Sequence, residues 1–74
     1  MIFGEKIRIE RKKNDLSAQE LADLSGVARS YITLIENGKR LPGRKIIPKI
    51  AEALHVKTNV IINWYLEDLR EKLL

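Results

Sequence analysis

Between Leu16 and Arg40 the chain reads "LSAQELADLSGVARSYITLIENGKR", a run with apolar residues at helical spacing and a glycine, Gly26, in its middle. Inside one long helix that glycine would cost about 1 kcal/mol against alanine, so Gly26 reads as a corner between two short helices. Ser17 followed by Glu20 has the spacing of a capping box: the serine oxygen accepts the Glu20 amide, and the Glu20 carboxylate returns to the Ser17 amide. A helix is therefore predicted to start at Ala18 and run to Ser25, where Gly26 supplies a left-handed backbone. A third helix follows from about Ala28 to Glu36, closed by Asn37-Gly38. With Ala18 counted as first in this unit, Ala22 is fifth, Gly26 ninth, Ile32 fifteenth and Ile35 eighteenth. Small Ala22 allows close helix approach, Ile32 and Ile35 share one face to pack on Leu21, and Arg29, Ser30, Thr33 and Leu34 remain on the other.

Outward from this unit the pattern predicts three more helices and no strand. Glu5 to Lys13 reads as a short basic helix with Phe3 and Ile7 inward, ended by Asn14-Asp15. Leu41-Pro42-Gly43 reads as loop. The fourth helix spans roughly Arg44 to Leu54, with Pro48 best accommodated in a first turn, where its missing amide is harmless. The fifth runs from Thr58 to near the end, with Trp64 in the core. Seventy-four residues make one domain, 1–74, near the size at which a single core gives only a few kcal/mol. The fold class is all-α, a compact five-helix domain with an extended C-terminal helix.

Composition narrows the function. Hydrophobic residues are 45% and charged residues 32%, as in soluble globular domains. No apolar run suits a membrane span and no signal-peptide pattern is present, so a cytoplasmic protein without a membrane partner is expected. There is no cysteine and one histidine, His55, which reads as a solvent-facing helix end; no metal and no cofactor are expected. Ser17, Ser25 and Ser30 have no partnering base, and Gly26, Gly38 and Gly43 form no nucleotide-binding motif, so no enzyme is read here. The net charge is +4. Five basic residues and no acid lie from Lys39 to Lys49 (Lys39, Arg40, Arg44, Lys45, Lys49), and Arg11, Lys12 and Lys13 form a second cluster. Such a distribution suits either a solvated surface or one that faces anions.

The pattern "S..ELA...GV...YI..IENGKR" resembles the helix-turn-helix family of the phage lambda repressor and Cro type, also called the xenobiotic-response-element family, over about Gly4 to Ile62. The resemblance implies a five-helix DNA-binding domain, usually dimeric, of bacterial or phage origin, with the helix-turn-helix at 18–37 and its second helix in the major groove. Position by position, it implies base contacts at Arg29, Ser30 and Leu34, flanked by Thr33 and Ala28. Leu34 cannot hydrogen-bond a base, so it is limited to thymine methyls. The resemblance further implies phosphate contacts at the Ala18 and Gln19 amides, Asn37 and Lys39, with Arg40, Arg44 and Lys45 in the flanking segments and Tyr31 on the phosphate side. An ion pair between Arg11 and Glu36 is implied as well. Two departures stand out. Ala18 replaces a common glutamine, which passes any side-chain phosphate contact to Gln19, and Glu10 replaces a common apolar residue, so that Ile9 is expected to supply an inward face.

The tail adds something of its own. At 100° per residue Ile62, Leu66, Leu69 and Leu73 fall within about 60° of one another, a heptad stripe, while Val60, Ile61 and Trp64 point the other way. The helix 58–73 is thus expected to close the core with one face and to pair two copies with the other. Two function classes follow: sequence-specific binding of double-stranded DNA at an inverted-repeat operator, as a homodimeric transcriptional repressor; or a protein-interaction module such as an antitoxin or antirepressor partner. Polar Arg29, Ser30 and Thr33 favour the first.

Overall fold

The computed structural model describes residues 2–73 and contains five helices: α1 (Ile2–Lys13), α2 (Ala18–Ser25), α3 (Arg29–Glu36), α4 (Ile47–Ala53) and α5 (Thr58–Leu73). No strand occurs among the described residues. The core is built from Phe3, Ile7, Leu21, Ala22, Ile32, Ile35, Ile50, Ala51, Leu54 and Ile61, all buried. Every helix therefore contributes to one apolar centre. Tyr65 closes it edge-on against Phe3, with ring centroids 6.0 Å apart.

Local chemistry sets the helix ends. The Glu20 amide donates to Ser17 Oγ (3.0 Å) and the Ser17 amide to Glu20 Oε1 (2.8 Å), so α2 starts on a complete capping box. Gly26 ends it at φ +70°, and the Val27 amide returns to the Ala22 carbonyl at 3.0 Å. α3 begins at Arg29, one residue later than expected, because Ala28 is still extended. It closes through Gly38 at φ +75°, with the Lys39 amide donating to the Leu34 carbonyl at 2.9 Å. His55 ends α4 at φ +57°, a conformation that costs a non-glycine residue some strain.

Three expectations need correction. α1 starts at Ile2 rather than Glu5; Gly4 lies inside it because a methyl there would collide with the Ile35 carbonyl oxygen and sit 2.8 Å from that of Glu36. The glycine permits helix contact rather than breaking the helix. α4 starts at Ile47 rather than near Arg44. Pro48 lacks an amide, and its ring would clash with the Arg44 carbonyl in a continuous helix, so residues 44–46 form a turn instead. Ile9, finally, is 53% exposed. The inward line of α1 runs Phe3, Ile7, Arg11 at four-residue spacing, and Ile9 lies about 200° around the helix from Ile7.

Candidate nucleic-acid interface

The helical period divides α3 cleanly. Ile32 and Ile35 are buried, whereas Arg29, Ser30, Thr33 and Leu34 together line a shallow surface depression. Thr33 Oγ1 donates to the Arg29 carbonyl at 3.2 Å, so the hydroxyl proton is committed within the helix. Thr33 offers a partner only a methyl and oxygen lone pairs. Leu34 is 39% exposed and adds apolar surface without polar atoms. Arg29 is the cation of this face, at the open N-terminal end of the helix. Ala28, also exposed, precedes it.

Donors border this face. In the capping box the Ser17 and Glu20 amides are occupied, which leaves those of Ala18 and Gln19 without an intrahelical acceptor at the positive end of α2. The Gln19 side chain is engaged locally by one hydrogen bond, Nε2 donating to Asp23 Oδ1 at 2.9 Å, which leaves its second amide hydrogen as well as the backbone amide for a partner. After α3, Lys39, Arg40, Arg44 and Lys45 are all exposed. Arg40 stacks over the Tyr31 ring, its guanidinium carbon 4.5 Å from the centroid, and the Tyr31 hydroxyl accepts the Gly43 amide at 2.9 Å. Tyr31 thereby ties the basic loop to α3.

Beneath α3 lies a set of ionic contacts. Arg11 donates from Nε to Glu36 Oε2 at 2.7 Å, from Nη2 to Glu36 Oε1 at 3.0 Å, and from Nη1 to the Leu16 carbonyl at 2.8 Å. The two side chains are 13% and 6% exposed, so the pair is shielded from solvent. The hydrogen bond to Glu36 raises the Arg11 pKa above its ordinary value, against the opposing effect of burial. Arg8, which sequence reasoning did not single out, reaches the same place: Nε lies 3.5 Å from Glu36 Oε1, and Nη2 donates to the Glu36 carbonyl (3.3 Å) and to Asn37 Oδ1 (3.0 Å). Its position three residues before Arg11, on the same side of α1, is the signal that could have revealed it.

On α5, Ile62, Leu66, Leu69 and Leu73 are exposed, Leu66 by 51%, while Ile61 is buried. Lys6 pairs with Glu67 at 3.3 Å and lies 5.7 Å from the Trp64 ring centroid, fixing α5 against α1. Among the described residues no group of His, Asp and Glu could hold a metal ion, and no helix is long and apolar enough to cross a membrane.

Comparison with known proteins gives consistent matches. A helix-turn-helix family model matches residues 7–61. The HTH-type transcriptional repressor RghR of Bacillus subtilis is 39% identical over 72 residues, which cover 93% of this chain and 53% of that protein. The chain thus spans about half the length of this relative. Among solved structures, the restriction-modification controller protein C.AhdI from Aeromonas hydrophila is 37% identical with a TM-score of 0.75, covering 80% of this chain and 89% of that one. The biofilm master regulator SinR, solved in complex with DNA, is 31% identical with a TM-score of 0.75, covering 81% and 97% respectively.

Proposed function

Because the chain belongs to the helix-turn-helix family, whose matched members are regulators of transcription and not enzymes, we propose that it binds duplex DNA sequence-specifically, as a dimeric repressor at an inverted-repeat operator. α3 enters the major groove. Arg29 donates two parallel hydrogen bonds to O6 and N7 of a guanine, Ser30 and Thr33 meet neighbouring base edges, and Leu34 takes thymine methyls, with Ala28 at the margin. Phosphates are held by the open amides of Ala18 and Gln19, by Asn37 and Lys39, and by Arg40, Arg44 and Lys45, with Tyr31 shaping the loop.

The observation that carries this reading is the arrangement of charge about α3. Its exposed face bears Arg29 and no acid, α2 opens on two uncapped amides at Ala18 and Gln19, and exposed Lys39, Arg40, Arg44 and Lys45 follow α3 in the chain. A groove lined by two phosphate rails requires cations and donors on both shoulders of the inserted helix. Pairing is assigned to the α5 stripe of Ile62, Leu66, Leu69 and Leu73, which sets two recognition helices about 34 Å apart on successive grooves. Full burial of such side chains stabilises by about 1.5 to 3 kcal/mol each before association costs, so the dimer forms mainly on DNA.

Selection from a random-sequence duplex pool, followed by gel-shift titration at two salt concentrations, tests the reading. The expected product is an inverted repeat with strongly salt-dependent binding. Arg29→Ala should cost about 1 to 3 kcal/mol and relax one position per half-site. Equal losses on selected and random duplexes would reduce Arg29 to a phosphate contact, and no enrichment of any sequence would overturn the proposed function.

A further inference from the structure

We propose that Arg8 is a positioning residue for DNA binding: it holds the Asn37 side chain with its oxygen inward and its amide hydrogens outward, toward a phosphate. The proposal rests on the reading that Asn37 meets the DNA backbone. It adds a residue of α1 outside the helix-turn-helix unit and assigns it a task.

The geometry settles the amide's orientation. A guanidinium has only donors, so the Asn37 atom 3.0 Å from Arg8 Nη2 must be the carbonyl oxygen Oδ1. Nδ2 is consequently turned away from Arg8, and it has no hydrogen bond among the described residues. Asn37 is exposed, so both amide hydrogens are open to an acceptor outside the chain. Arg8 is itself held from behind, by the Glu36 carbonyl at 3.3 Å and the Glu36 carboxylate at 3.5 Å, and Glu36 is anchored in turn by Arg11 at 2.7 Å. A chain of contacts thus runs from the shielded Arg11–Glu36 pair through half-exposed Arg8 to one exposed amide. An unrestrained asparagine at the end of a helix samples both flips, and in one of them the carbonyl dipole repels a phosphate. Fixing the flip before binding removes that loss.

The test uses the 74-residue chain and the tightest-binding duplex from a random pool. Arg8→Ala should lower affinity about two- to tenfold per subunit, the cost of immobilising one side chain on binding, and leave the salt slope unchanged. In an Asn37→Ala background the same substitution should have no further effect. A slope lowered by about 1 would make Arg8 a phosphate contact in its own right, and an equal loss with or without Asn37 would also overturn the proposal. A second measurement needs no DNA. NMR relaxation of the Asn37 side-chain Nδ2 should report an ordered amide in the parent protein and a mobile one in Arg8→Ala; an amide equally ordered in both refutes the positioning role. Failure of the parent to bind any duplex would overturn the proposed function and, with it, the task assigned to Arg8, whereas binding by the parent combined with an amide equally ordered in both proteins would overturn the Arg8 proposal alone.

Discussion

Glu36→Ala should remove about 3 kcal/mol of stability, a large share of the roughly 4 to 11 kcal/mol available to a chain of this length. Glu36 accepts two short hydrogen bonds from Arg11, at 2.7 and 3.0 Å, in a pair whose side chains are 13% and 6% exposed. Without it the Arg11 guanidinium is stranded, retaining the Leu16 carbonyl at 2.8 Å as partner. Breaking a buried pair in this way costs about 3 to 5 kcal/mol; the bond to Leu16 and the residual exposure of Arg11 put the value at the lower end. Urea denaturation followed by far-UV circular dichroism should show the midpoint falling with unchanged slope, and the melting temperature should drop by roughly 10 to 25 °C. Arg11→Met with Glu36→Met together should cost much less than the sum of the single changes. The folded-state pKa of Arg11 is raised, so its stabilising contribution is complete at all lower pH and disappears only in strong alkali; the loss should therefore not vary with pH through Arg11 near neutrality. A double-mutant cycle with coupling below about 1 kcal/mol would mean that the pair behaves like an exposed one, and the reasoning from burial would fail.

Three further outcomes are expected. Gly4→Ala should destabilise by about 1 to 3 kcal/mol in the same urea assay, because the added methyl meets rigid backbone at Ile35 and Glu36 rather than a movable side chain; a neutral result would show that α1 and α3 can separate freely. Ser25 is fully buried and its Oγ has no hydrogen-bond partner among the described residues, so Ser25→Ala should raise stability by about 1 kcal/mol, and a fall would reveal a partner for the hydroxyl. Leu66→Lys with Leu69→Lys should leave the monomer's melting temperature nearly unchanged, since both side chains are exposed, while abolishing tight binding to a full inverted repeat. Sedimentation of this variant as a pair on that duplex would refute pairing through α5.

What could be read in advance was local. The capping box at Ser17 and Glu20, the corner at Gly26 and the placing of Pro48 in the first turn of α4 depend on residues within one turn of each other, so spacing suffices to find them. Ile32 and Ile35 also mark, by elimination, the face on which Arg29, Ser30, Thr33 and Leu34 lie. The features that escaped depend on distant partners. Gly4 looks like a helix breaker until the carbonyls of Ile35 and Glu36 are brought against it. Arg8 reaches Asn37 across 29 positions of sequence. Asp68 resembles one more solvated charge, yet it is buried, because the inward line of α5 continues from Ile61 through Tyr65 to position 68. A carboxylate on that line carries no hydrophobic signal by which periodicity could detect it.

The hydrogen bond from the Gly43 amide to the Tyr31 hydroxyl bears on how errors in a DNA sequence would be felt. It joins the helix assigned to base edges with the loop assigned to phosphates, and the stacked Arg40 reinforces that joint. The two sets of contacts cannot then adjust separately. Under the proposed DNA-binding reading, a mismatched base that tilted α3 would draw the loop cations away from their phosphates, so one wrong letter would carry two kinds of loss. Penalties for substitutions within a half-site would accordingly exceed those of isolated base contacts, and they would diminish at high salt, where the loop's share of the binding is already screened.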